Sequence, residues 1–193
     1  MKNVQTSGFN TTMQGGLYRY QGASGSVNNY VCFGTTTKSI CTGNTDRYMY
    51  RIIGVDSSGQ IKLIKKEALN STLQWYASYS TNITWPNSTI YTNINGSSFL
   101  TNTSYMPNGW SDKIETTVWT YGDNSTINTT ADALYNVETG WSSRVNAKIG
   151  LMYGHDYYYA YQSGGLNCSD SGDYDTCKTA WLHISVSDPD ATS

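Results

Sequence analysis

Apolar and polar residues alternate most regularly between Tyr48 and Lys66. Tyr48-Met49-Tyr50-Arg51-Ile52-Ile53-Gly54-Val55 reads as a strand, Asp56-Ser57-Ser58-Gly59 as a turn, and Gln60 to Lys66 as the return strand. Ile61 and Leu63, two residues apart, fall on one face of that return strand, and the Ser-Gly turn chemistry agrees with a hairpin. Leu17–Tyr20 alternates in the same way and predicts a first strand. A Gly/Ser loop over 22–29 leads to a second strand over 29–34, which carries Cys32. The period lengthens after Pro86: Ile90, Tyr91 and Ile94 share one face of a helix over 88–95, with Pro86 just inside its start and Gly96 ending it. A short turn at Phe99-Leu100 and a short helix over 110–114 follow. Thr116–Tyr121 is a strand, 122–130 is a loop of Asn, Ser and Thr, Val145–Met152 is a buried strand and Thr179–Val186 another. No repeat with a period of about 20 to 50 residues is visible. The pattern predicts a flexible arm over 1–16, one domain over 17–186 and a tail over 187–193. The fold class is α+β, mainly β, with a twisted antiparallel sheet, short helices and long loops.

Composition sharpens this picture. Charged residues make up 13% of the 193 residues and the net charge is −2. That leaves no basic footprint for nucleic acid and no polybasic patch for an anionic membrane. Solubility falls to Asn, Ser, Thr and Gly. The 17 tyrosines and 6 tryptophans against 3 phenylalanines favour amphipathic rings that work half-exposed. No stretch reaches the roughly 18 apolar residues of a membrane span. Met1 to Thr6 lacks the apolar run of a signal peptide, so any targeting segment is expected to lie outside this sequence.

The cysteines fall into two pairs of equal spacing, Cys32 with Cys41 and Cys168 with Cys177. Both intervening loops are rich in Gly, Ser, Thr and Asp and fold back readily, so two local disulfides are expected, in an oxidising compartment. Thiolate zinc sites usually space their pairs by about two to four residues, closer than these. Asn-X-Ser/Thr sequons stand at Asn10, Asn70, Asn82, Asn87, Asn95, Asn102, Asn124, Asn128 and Asn167, a number that a chain so rich in these residues makes by chance.

The segments YMYRIIGVDSSGQIKLIKKEAL, WPNSTIYTNINGSSFL, KIGLMYGHDYYYA and TAWLHIS, in that order, resemble an uncharacterised family of bacterial surface or secreted domains. The resemblance runs from about residue 17 to residue 185 and implies a C-type-lectin-like fold, related to formylglycine-generating domains. It departs from the family at Tyr50, where the hairpin often has Trp, and at His183, where the last strand usually has Arg. Family members also continue with a further pair of strands. Their lack before Ser193 leads us to expect an exposed edge strand.

Candidate chemistry is sparse. His155-Asp156 beside Tyr157 and Tyr158 is the most suggestive polar cluster, but a base needs a nucleophile or metal partner. We read His155 as structural, beside a Tyr-rich surface. A formylglycine-type oxidase needs two free cysteines that bind copper, whereas local bridges account for all four here. Trp85-Pro86-Asn87 lacks the acid of a lectin calcium loop. Aromatic residues remain: Trp75, Tyr76, Tyr79 and Trp85 crowd one polar loop, Trp110, Trp119 and Tyr121 follow at a distance, and Tyr157 and Tyr158 are further candidates. Such rings pack cores, form protein contacts or stack on sugars, and all three readings stay open. The expected function is an extracellular or bacterial cell-surface interaction module, an adhesin without catalysis, cofactor or metal, whose ligand is a host or microbial protein or glycan. The alternative is a self-assembling subunit of a pilus or other extracellular filament.

Overall fold

A computed structural model describes residues 8–22, 27–37, 41, 46–69, 72–75, 83–122 and 130–160. Over these the chain is α+β, with two antiparallel sheets and a few short helices. The first sheet comprises β1 (Tyr18–Arg19), β2 (Tyr30–Cys32), β3 (Met49–Val55) and β4 (Ile61–Lys65). β3 and β4 are the expected hairpin. In its turn the Asp56 carboxylate accepts the backbone N–H groups of Ser58 (2.8 Å) and Gln60 (2.9 Å). β4 runs along one edge of β3, while β2 and β1 share the other. An extra residue, Ile53, bulges β3, so that Ile52 stands opposite Leu63 and Gly54 opposite Lys62.

This sheet is covered on both faces. Leu63 packs with the core of Tyr50, Phe99 and Met106, while its neighbour Ile64 packs with Tyr20, Val27, Ile53 and Ala160. That split is the period-two alternation of a strand between two cores. Sequence pattern suggested one apolar face through Ile61 and Leu63. Ile61 is instead exposed, at the turn end of the hairpin where neither core reaches.

Residues 8–16, within the stretch expected to be a loose arm, fold back on β1. Phe9 forms a bridge with Tyr20 and packs on its ring, and the side chains of Asn10, Gln14 and Gln21 join in one hydrogen-bonded group.

Helix α1 (Thr89–Ile94) lies where its spacing placed it, with the Ser88 hydroxyl accepting the Tyr91 N–H at 3.1 Å. Pro86 sits in the preceding 3₁₀ turn Trp85–Asn87, and the short helix expected over 110–114 is the 3₁₀ turn Ser111–Lys113. The second sheet pairs β5 (Thr117–Tyr121) with β6 (Ser143–Ala147), from Thr117 opposite Ala147 to Tyr121 opposite Ser143. The strand expected over 145–152 is therefore displaced. It begins earlier and stops at Ala147 because the Ile149 N–H donates to Asn95 Oδ1 (3.1 Å) and Asn95 Nδ2 donates to the Ile149 carbonyl (3.1 Å). A side chain takes the place of a partner strand.

Two helices were not anticipated, α2 (Ala131–Gly140) and α3 (Gly154–Tyr159). Thr130 caps α2, whose buried face consists of Ala131, Leu134 and Glu138. A buried glutamate completes that stripe, so apolar periodicity alone under-reports it. Cys32 and Cys41 form the expected disulfide, with 5.8 Å between their Cα atoms. Cys168, Cys177, the strand expected over 179–186 and the tail lie outside the described residues. Among the described residues no helix is long and apolar enough to cross a membrane.

Candidate functional site: an aromatic pocket

Glycines on two sides of the β5–β6 sheet let tryptophan rings lie directly on backbone. A Cβ at Gly150 would stand 2.1 Å from the Trp119 ring, and one at Gly122 would stand 2.7 Å from the Trp141 ring. Trp119, on β5, is further fixed by its Nε1–H, which donates to the Ala147 carbonyl at 3.0 Å. It stacks on Tyr153 with ring centres 6.0 Å apart and planes 29° from parallel. The Tyr153 hydroxyl accepts the Thr120 N–H at 2.9 Å, which ties the segment before α3 to β5. Burial pushes the Tyr153 phenol above its ordinary pKa, and the hydrogen bonds with Thr120 offset part of that.

Across from this wall stands a second aromatic pair. Trp85 is buried in its 3₁₀ turn, and Trp75, 41% exposed, packs on it with ring centres 5.9 Å apart. Between the walls lies a pocket of about 450 Å³, lined by Trp75, Trp85, Trp119, Tyr121, Trp141 and Tyr153 together with Thr84, Thr120, Glu138 and Ser143. Its size is that of a small-molecule site. Trp85 brings an unusual feature: its indole N–H is buried and has no acceptor among the described residues. An unmade buried hydrogen bond of this kind costs about 1–3 kcal/mol.

A network of buried charges supports the pocket from behind. Glu138, on α2, accepts the first backbone N–H groups of α3, Gly154 (2.8 Å) and His155 (3.0 Å), and its Oε2 lies 2.5 Å from His155 Nδ1. The imidazole stacks on Tyr153 at 5.0 Å and 15°, and its other nitrogen faces Asp156. Asp156 receives Arg19 at 2.7 Å and Lys62 at 2.5 Å. Burial alone would push this carboxyl up, but Lys62, Arg19 and His155 together outweigh it and hold the pKa at about 2. Both nitrogens of His155 thus face carboxylates, and the cluster joins β1, β4, α2 and α3. Among the described residues no group of three or more His, Cys, Asp or Glu side chains is arranged to hold a metal ion.

A larger groove of about 660 Å³ lies on the far side of the Trp119–Tyr153 wall, lined by Tyr50, Leu63, Phe99, Met106, Ile114 and Ile149 among others. Those six are side chains of the second core, and Arg19, Lys62 and His155 of the charge network line the groove as well.

Of the aromatic residues singled out from sequence, Trp75, Trp85, Trp119 and Tyr121 line the pocket. Tyr76 and Tyr79 lie outside the described residues. Trp110 packs edge-on against Phe33 beside the second core. Tyr157 packs against the first core and Tyr158 is half-buried on α3, and neither lines the pocket. Trp141 and Tyr153 escaped notice because nothing local marks them. Only the pairing of β5 with β6 and the packing of α2 bring them to Trp85.

Comparison with family models, with curated proteins and with solved structures finds no match for this chain.

Proposed function

We propose that the chain is a binding module that works outside a reducing cytosol, secreted or displayed on a bacterial surface, and that its aromatic pocket holds a small uncharged ligand or the tip of a larger one. The observation that carries this reading is the convergence of Trp75, Trp85, Trp119, Tyr121, Trp141 and Tyr153, drawn from four separate parts of the chain, on one pocket. Core packing alone does not call for a concave space between such rings. The Cys32–Cys41 bridge supports the compartment. His155 and Asp156, each pinned by charged partners, serve as the support of the pocket and not as its chemistry. The lectin-like kinship belongs to the same proposal, supported by an antiparallel hairpin core with long connections and short helices.

The filament alternative draws on the open edge of β4, which pairs only with β3 among the described residues. That edge carries Lys65, and a lysine there blunts edge-to-edge pairing. A free-standing module is therefore the preferred reading. Saturation-transfer NMR of the intact protein against a library of neutral fragments tests it. Binding that is lost in Trp75→Ala supports the pocket as the site, whereas binding indifferent to that change places the site elsewhere.

A further inference from the structure

We infer that the ligand of this pocket is a neutral saccharide, stacked on the aromatic walls through its C–H face; this rests on the reading of the pocket as the binding site. Three observations converge on that class.

The first is charge. Among the described lining residues Glu138 is the only formally charged one. Its two oxygens are taken by the N–H groups of Gly154 and His155 and by His155 Nδ1, so no carboxylate is left over for a cation. Among the described residues no lysine, arginine or histidine lines the pocket to receive a phosphate, sulfate or carboxylate. An ionic ligand would enter without a counter-charge, which is costly in a partly desolvated site.

The second concerns the rings themselves. A cage of tryptophan and tyrosine also suits a quaternary ammonium ion. Here the Lys62 ammonium already sits 4.8 Å from the centre of the Tyr153 ring and 5.6 Å from that of Trp119. Lys62 lines the groove behind the wall and not the pocket, and Asp156 holds it there. The attraction of that wall for a cation is spent, and a second positive charge would face the first across the rings. Weakly polarised C–H groups carry no such penalty against the electron-rich ring faces.

The third is hydrogen bonding. The buried Trp85 Nε1–H has no acceptor among the described residues, and Thr84 and Ser143 belong to the lining. A ligand with hydroxyl oxygens around a flat apolar ring answers both needs at once. Trp75, 41% exposed, packs beside Trp85 with ring centres 5.9 Å apart and gives the ligand an accessible ring face.

The test is titration of the intact protein, followed by tryptophan fluorescence and calorimetry. The probes are neutral oligomers of glucose, galactose, mannose and N-acetylglucosamine, with glucuronic acid and glucosamine oligomers, choline and N-acetyltryptophanamide as comparisons. The expected result is binding of at least one neutral oligomer, with its charged counterparts about tenfold weaker or worse. Trp75→Ala, at a half-exposed position, weakens that binding about tenfold or more. Trp85→Phe, which keeps a ring and removes the N–H, weakens it about three- to tenfold. Preference for choline or for the acidic oligomers overturns the inference. Binding of N-acetyltryptophanamide that depends on Trp75, with no sugar bound, overturns the sugar assignment and leaves the pocket standing as a site. No binding by any probe overturns both.

Discussion

Asp156 is the residue on which the support of the pocket turns, since it is 1% exposed and receives both Arg19 and Lys62. Its folded-state pKa of about 2 lies below the ordinary carboxyl value of 3.8. A depressed carboxyl contributes stability that is fully present above its unfolded pKa and fades as pH falls toward the folded one. Wild-type stability should therefore decline between about pH 4 and pH 2 through this group. Asp156→Asn should cost about 3–5 kcal/mol at neutral pH, because it leaves two buried cations without their counter-charge. Urea unfolding from pH 7 to pH 2 checks both statements. The gap between wild type and variant should narrow toward pH 2, and a constant gap would show that the carboxylate charge is not what matters. A second residue, Gly150, has a local role. Gly150→Ala drives a methyl into the Trp119 ring, so it should perturb near-ultraviolet circular dichroism and weaken any ligand of the pocket, while the first sheet retains its amide protection.

At the scale of elements, the hairpin of β3 and β4 and helix α1 were legible because each carries its own period and its own punctuation. The Asp56 turn and the Ser88 cap are local signals, and local signals survive in sequence. What was illegible depended on distant partners. β6 ends at Ala147 because Asn95, more than fifty residues earlier, takes over the backbone of Ile149. α3 starts at Gly154 because Glu138 supplies its cap from another helix. The buried strand expected over Val145–Met152 gave no hint of either. Asn95→Ala removes both bonds of the clamp and leaves partly buried backbone groups unpaired, so it should destabilise by about 1–3 kcal/mol. Hydrogen exchange should show faster loss of protection at Ile149 than in β3. Equal loss across the molecule would mean that the clamp has no local role.

For the molecule as a whole, the aromatic character of the site was readable, but its membership was not. Trp75 and Trp85 are neighbours in sequence, whereas Trp119, Trp141 and Tyr153 join them only after a sheet and two helices have formed. The Cys32–Cys41 bridge, by contrast, was expected from spacing alone, and it makes the proposed oxidising compartment testable. That bridge ties the end of β2 to the chain just ahead of β3, and its cysteines stand nine positions apart. Closing a loop of this size restrains the unfolded chain by roughly 2.5–3 kcal/mol. The double change Cys32→Ser with Cys41→Ser should lower the melting temperature by roughly 5–10 °C for a chain of this length. Neither cysteine lines the aromatic pocket, so ligand affinity measured well below the melting point should stay within about twofold of wild type. Scanning calorimetry with and without reductant separates the contributions. If reductant lowers the melting temperature of the double variant further, a second bridge between Cys168 and Cys177 accounts for it. A variant as stable as wild type would mean that this bridge does not constrain the fold, and the case for an oxidising compartment would weaken with it.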